Sequence, residues 1–176
     1  MAFNLRWAAL ISVMGAYLFC IGCASPTAGR DLLEQNKQVV LANARAYNEH
    51  DVDGLRATMA PDLRRRCQAT PDIDVRSVDD FIAFARREWL SFPDGRLEVE
   101  QLVAENDRVG VFGRFTGTQL GATGPFPPSG RSVDLDFCGV FRIDKGKIAE
   151  ILITWDNLTV LGQLGHWPPP MDTGEP

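Results

Sequence analysis

The sequence predicts an α+β domain, a curled antiparallel sheet closed on its open side by three helices. Three observations predict it. Apolar residues recur at helical spacing through the first half of the chain, as far as Leu90. From Leu97 to Trp155 the period drops to two. Turn-forming residues divide that stretch at hairpin spacing. Helices first and hairpins second is the order of an α+β domain. The strands are long and few, so the sheet must curl, and three helices across a curled sheet enclose a cone-shaped pocket suited to an apolar ligand.

Each element has its own signal. Asp31 to His50 reads as a helix, with Leu33, Val40, Ala44 and Tyr47 on one stripe and Glu34, Gln35, Lys37 and Arg45 on the other faces. Asp51-Val52-Asp53-Gly54 breaks it, and Asp53 is placed to cap a short second helix ending at Met59. Ala60-Pro61-Asp62 stops that helix, and Leu63 to Val75 reads as polar and irregular, with Arg64-Arg65-Arg66 as a solvated basic cluster. Ser77-Val78-Asp79-Asp80 resembles a capping box and opens a third helix. On it Phe81, Phe84, Ala85, and Glu88 or Trp89 share a face, until Phe92-Pro93-Asp94-Gly95 ends it.

Leu97, Val99, Gln101 and Val103 then alternate with Glu98, Glu100 and Leu102 as a first strand, and Glu105-Asn106-Asp107 turns the chain. Arg108 to Gln119 is a second strand, with Val109, Val111, Gly113 and Phe115 on one side. A Gly/Pro-rich loop from Leu120 to Gly130 leads to a third strand, Arg131 to Ile143, whose inner set is Val133, Leu135, Phe137, Phe141 and Ile143. Asp144-Lys145-Gly146 is a tight hairpin turn into a fourth strand, Lys147 to Trp155. Asp156 to Gly165 is a short helix, and 167–176 is a Pro-rich tail.

The N-terminus reads as an export signal. Met1 to Arg6 carries one positive charge, and Trp7 to Phe19 is uncharged but shorter than the roughly 20 residues of a membrane span. Cys20-Ile21-Gly22-Cys23-Ala24-Ser25 resembles a bacterial lipobox, although Cys20 stands where that pattern usually has Leu. The resemblance implies a signal peptide over 1–22, lipid on Cys23, a linker over 23–30 and a domain over 31–166. The protein is then exported and anchored to a membrane on the periplasmic or extracellular side. The alternative is an ordinary signal peptide cleaved near Ala24 or Ala28.

The formal charge of −5 makes nucleic acid an unsuitable partner. His50 and His166 are the only histidines, no His-x-His occurs, and Cys-x-x-Cys spacing falls only within the signal, so no metal site is expected. Gly121, Gly124 and Gly130 precede no helix, and no Gly-x-Ser-x-Gly is present. Cys67 and Cys138 are either bridged, which an oxidising compartment permits, or free. Arg114 and Arg142 read as salt-bridged on the sheet. Of the rings at 81, 84, 89, 112, 115, 137 and 155, most read as core and two or three as pocket lining.

A set of short segments then resembles the SnoaL-like polyketide cyclase and ester cyclase family. They include Asn48-Glu49-His50-Asp51, Ala60-Pro61-Asp62, Phe92-Pro93-Asp94 and Asn106-Asp107-Arg108-Val109. Gly146-Lys147-Ile148-Ala149-Glu150, Trp155-Asp156-Asn157-Leu158 and Gln163-Leu164-Gly165 continue the set, which spans about Leu32 to Gly165. The resemblance implies the nuclear-transport-factor-2-like cone-shaped barrel. It also implies ring closure by intramolecular aldol condensation without metal or cofactor, with a pocket carboxylate as general acid and base.

By position that carboxylate is Asp156, with Tyr47, Arg114, Asp136 and Trp155 as further pocket residues. Asp156 can equally cap the last helix. The His that such cyclases pair with the acid has no counterpart: Ile151 and Gly139 stand at the positions where relatives carry it. Two functions therefore stand side by side. One is a cofactor-free cyclase acting on an activated carbonyl compound. The other is an anchored, non-catalytic domain binding an apolar small molecule or a protein. The resemblance also implies a homodimer.

Overall fold

The computed structural model describes residues 26–168. The signal segment, Cys23 and the tail beyond Pro168 lie outside the described residues. Among those described, no helix is long and apolar enough to cross a membrane.

Four helices and five strands follow in the order α1 (Pro26–Asn48), α2 (Val52–Thr58), β1 (Met59–Cys67), α3 (Val78–Ser91), β2 (Arg96–Glu105), β3 (Arg108–Thr118), β4 (Ser132–Asp144), β5 (Lys147–Trp155) and α4 (Asn157–Leu164). The strands form one mixed sheet in the order β1-β5-β4-β3-β2. Its β2 to β5 part is the predicted antiparallel meander. The fifth strand, β1, runs parallel to β5; it begins at the expected helix end, Met59, and extends through Ala60-Pro61-Asp62 into the segment expected to be irregular. Two further boundaries differ from expectation. Helix α1 begins at Pro26, inside the presumed linker. Helix α2 is capped by Asp51, whose side chain accepts from the Gly54 N–H, and not by Asp53.

The basic residues of β1 conceal its alternation in the sequence. Leu63, Arg65 and Cys67 point inward and are buried, while Arg64 and Arg66 are exposed. Period two is present, but one of its three inward positions is an arginine.

Strand β2 departs in another way. Its register against β3 shifts between Val99 and Gln101. A bulge inserts one unpaired residue and so reverses the phase of all that follows. Leu97 and Val99 face inward as predicted, but beyond the bulge Leu102 and Ala104 take the inner side and Val103 is 72% exposed.

The remaining signals correspond to structure. Ser77 caps α3 by accepting from the Asp80 N–H at 3.1 Å. The β4–β5 hairpin turns through Lys145 and Gly146, both at positive φ. Gly113 of β3 faces Phe137 of β4 in register, and a Cβ there would lie 2.8 Å from the Phe137 ring. The missing side chain is the space the ring occupies. Helix α1 is clamped to β2 by Asn48, which donates to the Leu97 carbonyl at 2.7 Å and accepts from its N–H at 2.8 Å.

Helices α1 and α3 thus lie across the concave face of the sheet, and α4 packs on β4. The core gathers between sheet and helices around Leu55, Met59, Leu63, Val109 and Ile148. Cys67 faces this core and Cys138 the outer side of the sheet, so both thiols are free. Arg114 pairs with Asp134, and Arg142 with Glu150, as expected.

Candidate functional site

The concave face and the helices enclose a cavity of about 450 Å³. Strands β3, β4 and β5 supply its apolar wall through alternate residues, among them Val111, Phe115, Phe137, Phe141, Ile151 and Trp155. Phe81 and Phe84 of α3 face them. Thr70 to Ile73, Thr123 to Phe126, and α4 residues such as Val160 and Leu161 complete the lining. More rings contribute than the two or three anticipated, because the curl of the sheet turns every inner aromatic toward one axis.

Four ionisable residues line the cavity: Tyr47 of α1, Arg65 of β1 and Glu88 of α3 interrupt its wall, and the exposed Asp72 follows β1 at its margin. Tyr47 and Arg65 are both buried, at 8% exposure. Burial raises the Tyr47 phenol well above its ordinary value, so it stays a neutral hydroxyl. Burial pushes the Glu88 carboxyl upward, opposed by the positive charges of Arg65 and Arg87. Burial likewise lowers Arg65, opposed by the neighbouring Cys67, Glu88 and Tyr47. The Arg65 guanidinium stacks 4.4 Å from the Phe84 ring centre, and its Nη1 donates to Thr70 Oγ1 at 3.2 Å.

The predicted site residues divide between the two faces of the sheet. Tyr47 and Trp155 line the cavity as expected. Arg114, Asp136 and Asp156 do not. They lie on the outer side, around a shallow polar groove with Asp134, Thr159 and Gln163. The reason is strand alternation: Ile151, Ile153 and Trp155 of β5 take the cavity side, so Glu150, Leu152, Thr154 and Asp156 fall on the other. Asp156 is the N-cap of α4. Its Oδ1 accepts from the Leu158 N–H at 2.9 Å and its Oδ2 from the Thr159 hydroxyl at 2.6 Å. Those bonds hold its carboxyl below the usual aspartate range, the opposite of what a pocket base needs.

Both histidines are outside the cavity lining. His50 stacks on Trp89 at 4.5 Å, and His166 stacks on Phe126 and bonds to Gln119. Among the described residues no three His, Cys, Asp or Glu side chains converge as a metal site would require.

Residues 37–164 match the SnoaL-like polyketide cyclase family. The chain belongs to that family. No curated protein matches it. Solved structures similar to this SnoaL-like protein include AclR, a candidate hydroxylase from Streptomyces galilaeus, at 27% identity and a TM-score of 0.66, covering 77% of this chain and 99% of AclR. A candidate SnoaL-like polyketide cyclase from a Jannaschia species is 29% identical with a TM-score of 0.68, covering 77% and 94%. IdmH, a candidate polyketide cyclase from Streptomyces antibioticus, is 26% identical with a TM-score of 0.66, covering 74% and 99%.

Two charged groups of the SnoaL-like cavity, Arg65 and Glu88, are not among the site residues the sequence predicts. Glu88 carried a signal, since it ends the 81-84-85-88 helical stripe. Arg65 carried a weaker one, the Leu63-Arg65-Cys67 alternation within a run of three arginines.

Proposed function

We propose that this SnoaL-like protein is an exported, lipid-anchored domain that binds an apolar carbonyl compound in its cavity and moves a proton on a carbon beside the carbonyl. Glu88 is its general acid and base, and no cofactor takes part. One observation carries this reading: a carboxyl group, displaced upward by burial, lies in the wall of a mainly apolar cavity. A carboxylate with a raised pKa is a stronger base, nearer the working pH.

In the reaction implied by the family, the Glu88 carboxylate takes a proton from carbon. The C–H electron pair moves onto the carbonyl oxygen as an enolate. The enolate carbon then bonds to a second carbonyl carbon of the same molecule, whose oxygen recovers the proton from Glu88. The Tyr47 hydroxyl, neutral and cavity-facing, is a donor for the oxygen on which charge develops.

The test is uptake of deuterium from D2O at the carbon next to the carbonyl of 2-tetralone, followed by NMR. Glu88→Gln should slow it about 10²–10⁴-fold, the usual contribution of a general base. An unchanged rate overturns the assignment. The lipid anchor is tested separately: labelled fatty acid should enter the chain in a bacterial host and be lost in Cys23→Ser.

A second reading has support in the positions of the histidines. With His50 and His166 outside the cavity lining, Glu88 has no imidazole partner there. The protein would then be a carrier or sensor that binds an apolar molecule without converting it. Saturable binding of 2-tetralone with no deuterium uptake would favour this reading.

A further inference from the structure

We propose that Arg65 makes the cavity selective for a planar two-oxygen anion, a carboxylate or an ionised 1,3-dicarbonyl, borne on an apolar body. The inference rests on the reading of the cavity as the binding site and adds the class of ligand it takes.

Arg65 is a cation turned into an apolar interior. Its strand neighbours Arg64 and Arg66 reach solvent, whereas Arg65 is 8% exposed. Among the described residues, no carboxylate oxygen lies within ion-pairing distance of the Arg65 guanidinium. Thr70 takes one of its N–H groups. Glu88 is close enough to feel its charge but does not pair with it, and burial drives that carboxyl toward the neutral form. A buried charge without a counter-ion is costly, and a structure retains one where a partner arrives from outside.

The geometry narrows the partner. Phe84 stacks on the guanidinium at 4.4 Å, and the Trp155 ring centre lies 6.0 Å away. Stacking occupies a face of the group and leaves the in-plane N–H groups not taken by Thr70 to do the binding. That fork matches two coplanar oxygens, which carboxylates and ionised 1,3-dicarbonyls both present. The rest of the ligand is apolar because the surrounding wall is, and a cavity of about 450 Å³ has the size of a small-molecule site.

The test is calorimetric titration of the full-length chain in detergent with two matched pairs of probes. One pair is 2-naphthoate and 2-naphthamide. The other is 4,4,4-trifluoro-1-(2-naphthyl)butane-1,3-dione, which ionises and can set its two oxygens side by side, and its 2,2-dimethyl derivative, which cannot ionise. At least one anion should bind tenfold or more tightly than its neutral partner, and the pair that does so identifies the source of the oxygens. Arg65→Met should abolish that preference, so that the anion binds no more tightly than its neutral partner. Arg65→Lys, which keeps the charge and loses the fork, should retain only part of it.

Equal binding within both pairs, binding of no probe, or a preference that survives in Arg65→Met overturns the proposal. If Arg65→Met does not fold, the wild-type comparison and Arg65→Lys decide. Anion preference without deuterium uptake from 2-tetralone upholds this inference and sinks the catalytic reading. Deuterium uptake without anion preference does the reverse.

Discussion

The guanidinium of Arg65 lies 4.4 Å from the centre of the Phe84 ring. The contact joins an edge strand to α3 across the cavity wall, and makes Phe84 at once a core residue and the platform for the cavity's cation. Phe84→Ala should therefore cost about 3–5 kcal/mol in a urea melt, the usual range for emptying a buried aromatic site. Phe112 is the control. It is on the outer side of the same sheet, 39% exposed, and Phe112→Ala should cost less than about 1 kcal/mol. Equal costs would mean that the sheet is not curled toward the helices as described.

Glu88 should give the protein an unusual pH response. Its folded-state pKa is raised above the ordinary 4.5, mainly by burial. Such a group is free of penalty below its unfolded value, where both states are protonated. It costs stability as pH rises through the folded value. Glu88→Gln has no such titration. The variant and the wild type should melt together near pH 4, and the variant should become the more stable as pH rises toward 8. Carboxylates held low by hydrogen bonds, such as Asp94 on Thr118, are common to both proteins and cancel in the difference. A gap that closes with rising pH would contradict the burial of this carboxyl.

Asp156 should behave as a cap. Asp156→Asn keeps an acceptor for the Leu158 N–H and should leave deuterium uptake within threefold of wild type, because the side chain is on the far side of the sheet from the cavity. Asp156→Ala removes the acceptor and should lower Tm by roughly 2–4 °C, the shift a lost cap produces in a chain of this size. The Asp156 carboxyl is held below its ordinary 3.8. Any advantage of wild type over Asp156→Asn should thus be present at pH 7 and disappear as pH falls through the folded value. A hundredfold loss of turnover in Asp156→Asn would return the catalytic role to this residue.

The two thiols of the domain should differ in reactivity. Cys67 is buried and Cys138 exposed. Under native conditions a maleimide should label Cys138 at least about tenfold faster than Cys67, as read by peptide mass spectrometry, since access controls thiol chemistry. Urea should abolish the difference. A Cys67–Cys138 disulfide in the purified protein would contradict their placement on opposite faces of the sheet.

Much of this fold is legible in the chain because its signals are local. Ser77 before Val78-Asp79-Asp80 marks a helix start from four residues. Asp144-Lys145-Gly146 marks a hairpin from three, and the inner set of β4 appears as simple alternation. The errors arise where a local signal meets a distant decision. The Leu63-Arg65-Cys67 alternation becomes a strand only because the edge of β5 is there to pair with it. The bulge in β2 depends on its register against β3, and so the exposure of Val103 could not be read from β2 alone.

The candidate site divides in the same way. By itself the sequence determined the α+β order of elements, the apolar faces of β3 and β4, and family membership through segments spread along the chain. Only the tertiary structure decided which charged residues face the cavity. Asp156 and Glu88 are both carboxylates near an element's end, one just after β5 and one on α3. A strand reverses side at every residue, so a one-position offset puts Asp156 outside with Glu150 and Leu152. Glu88 is carried inward by the stripe it shares with Phe81 and Phe84, and Arg65 comes to share the same cavity wall because β1 adds to the sheet beside β5. Burial, the largest cause of the shifts at Tyr47, Arg65 and Glu88, exists only once helix and sheet have closed on each other.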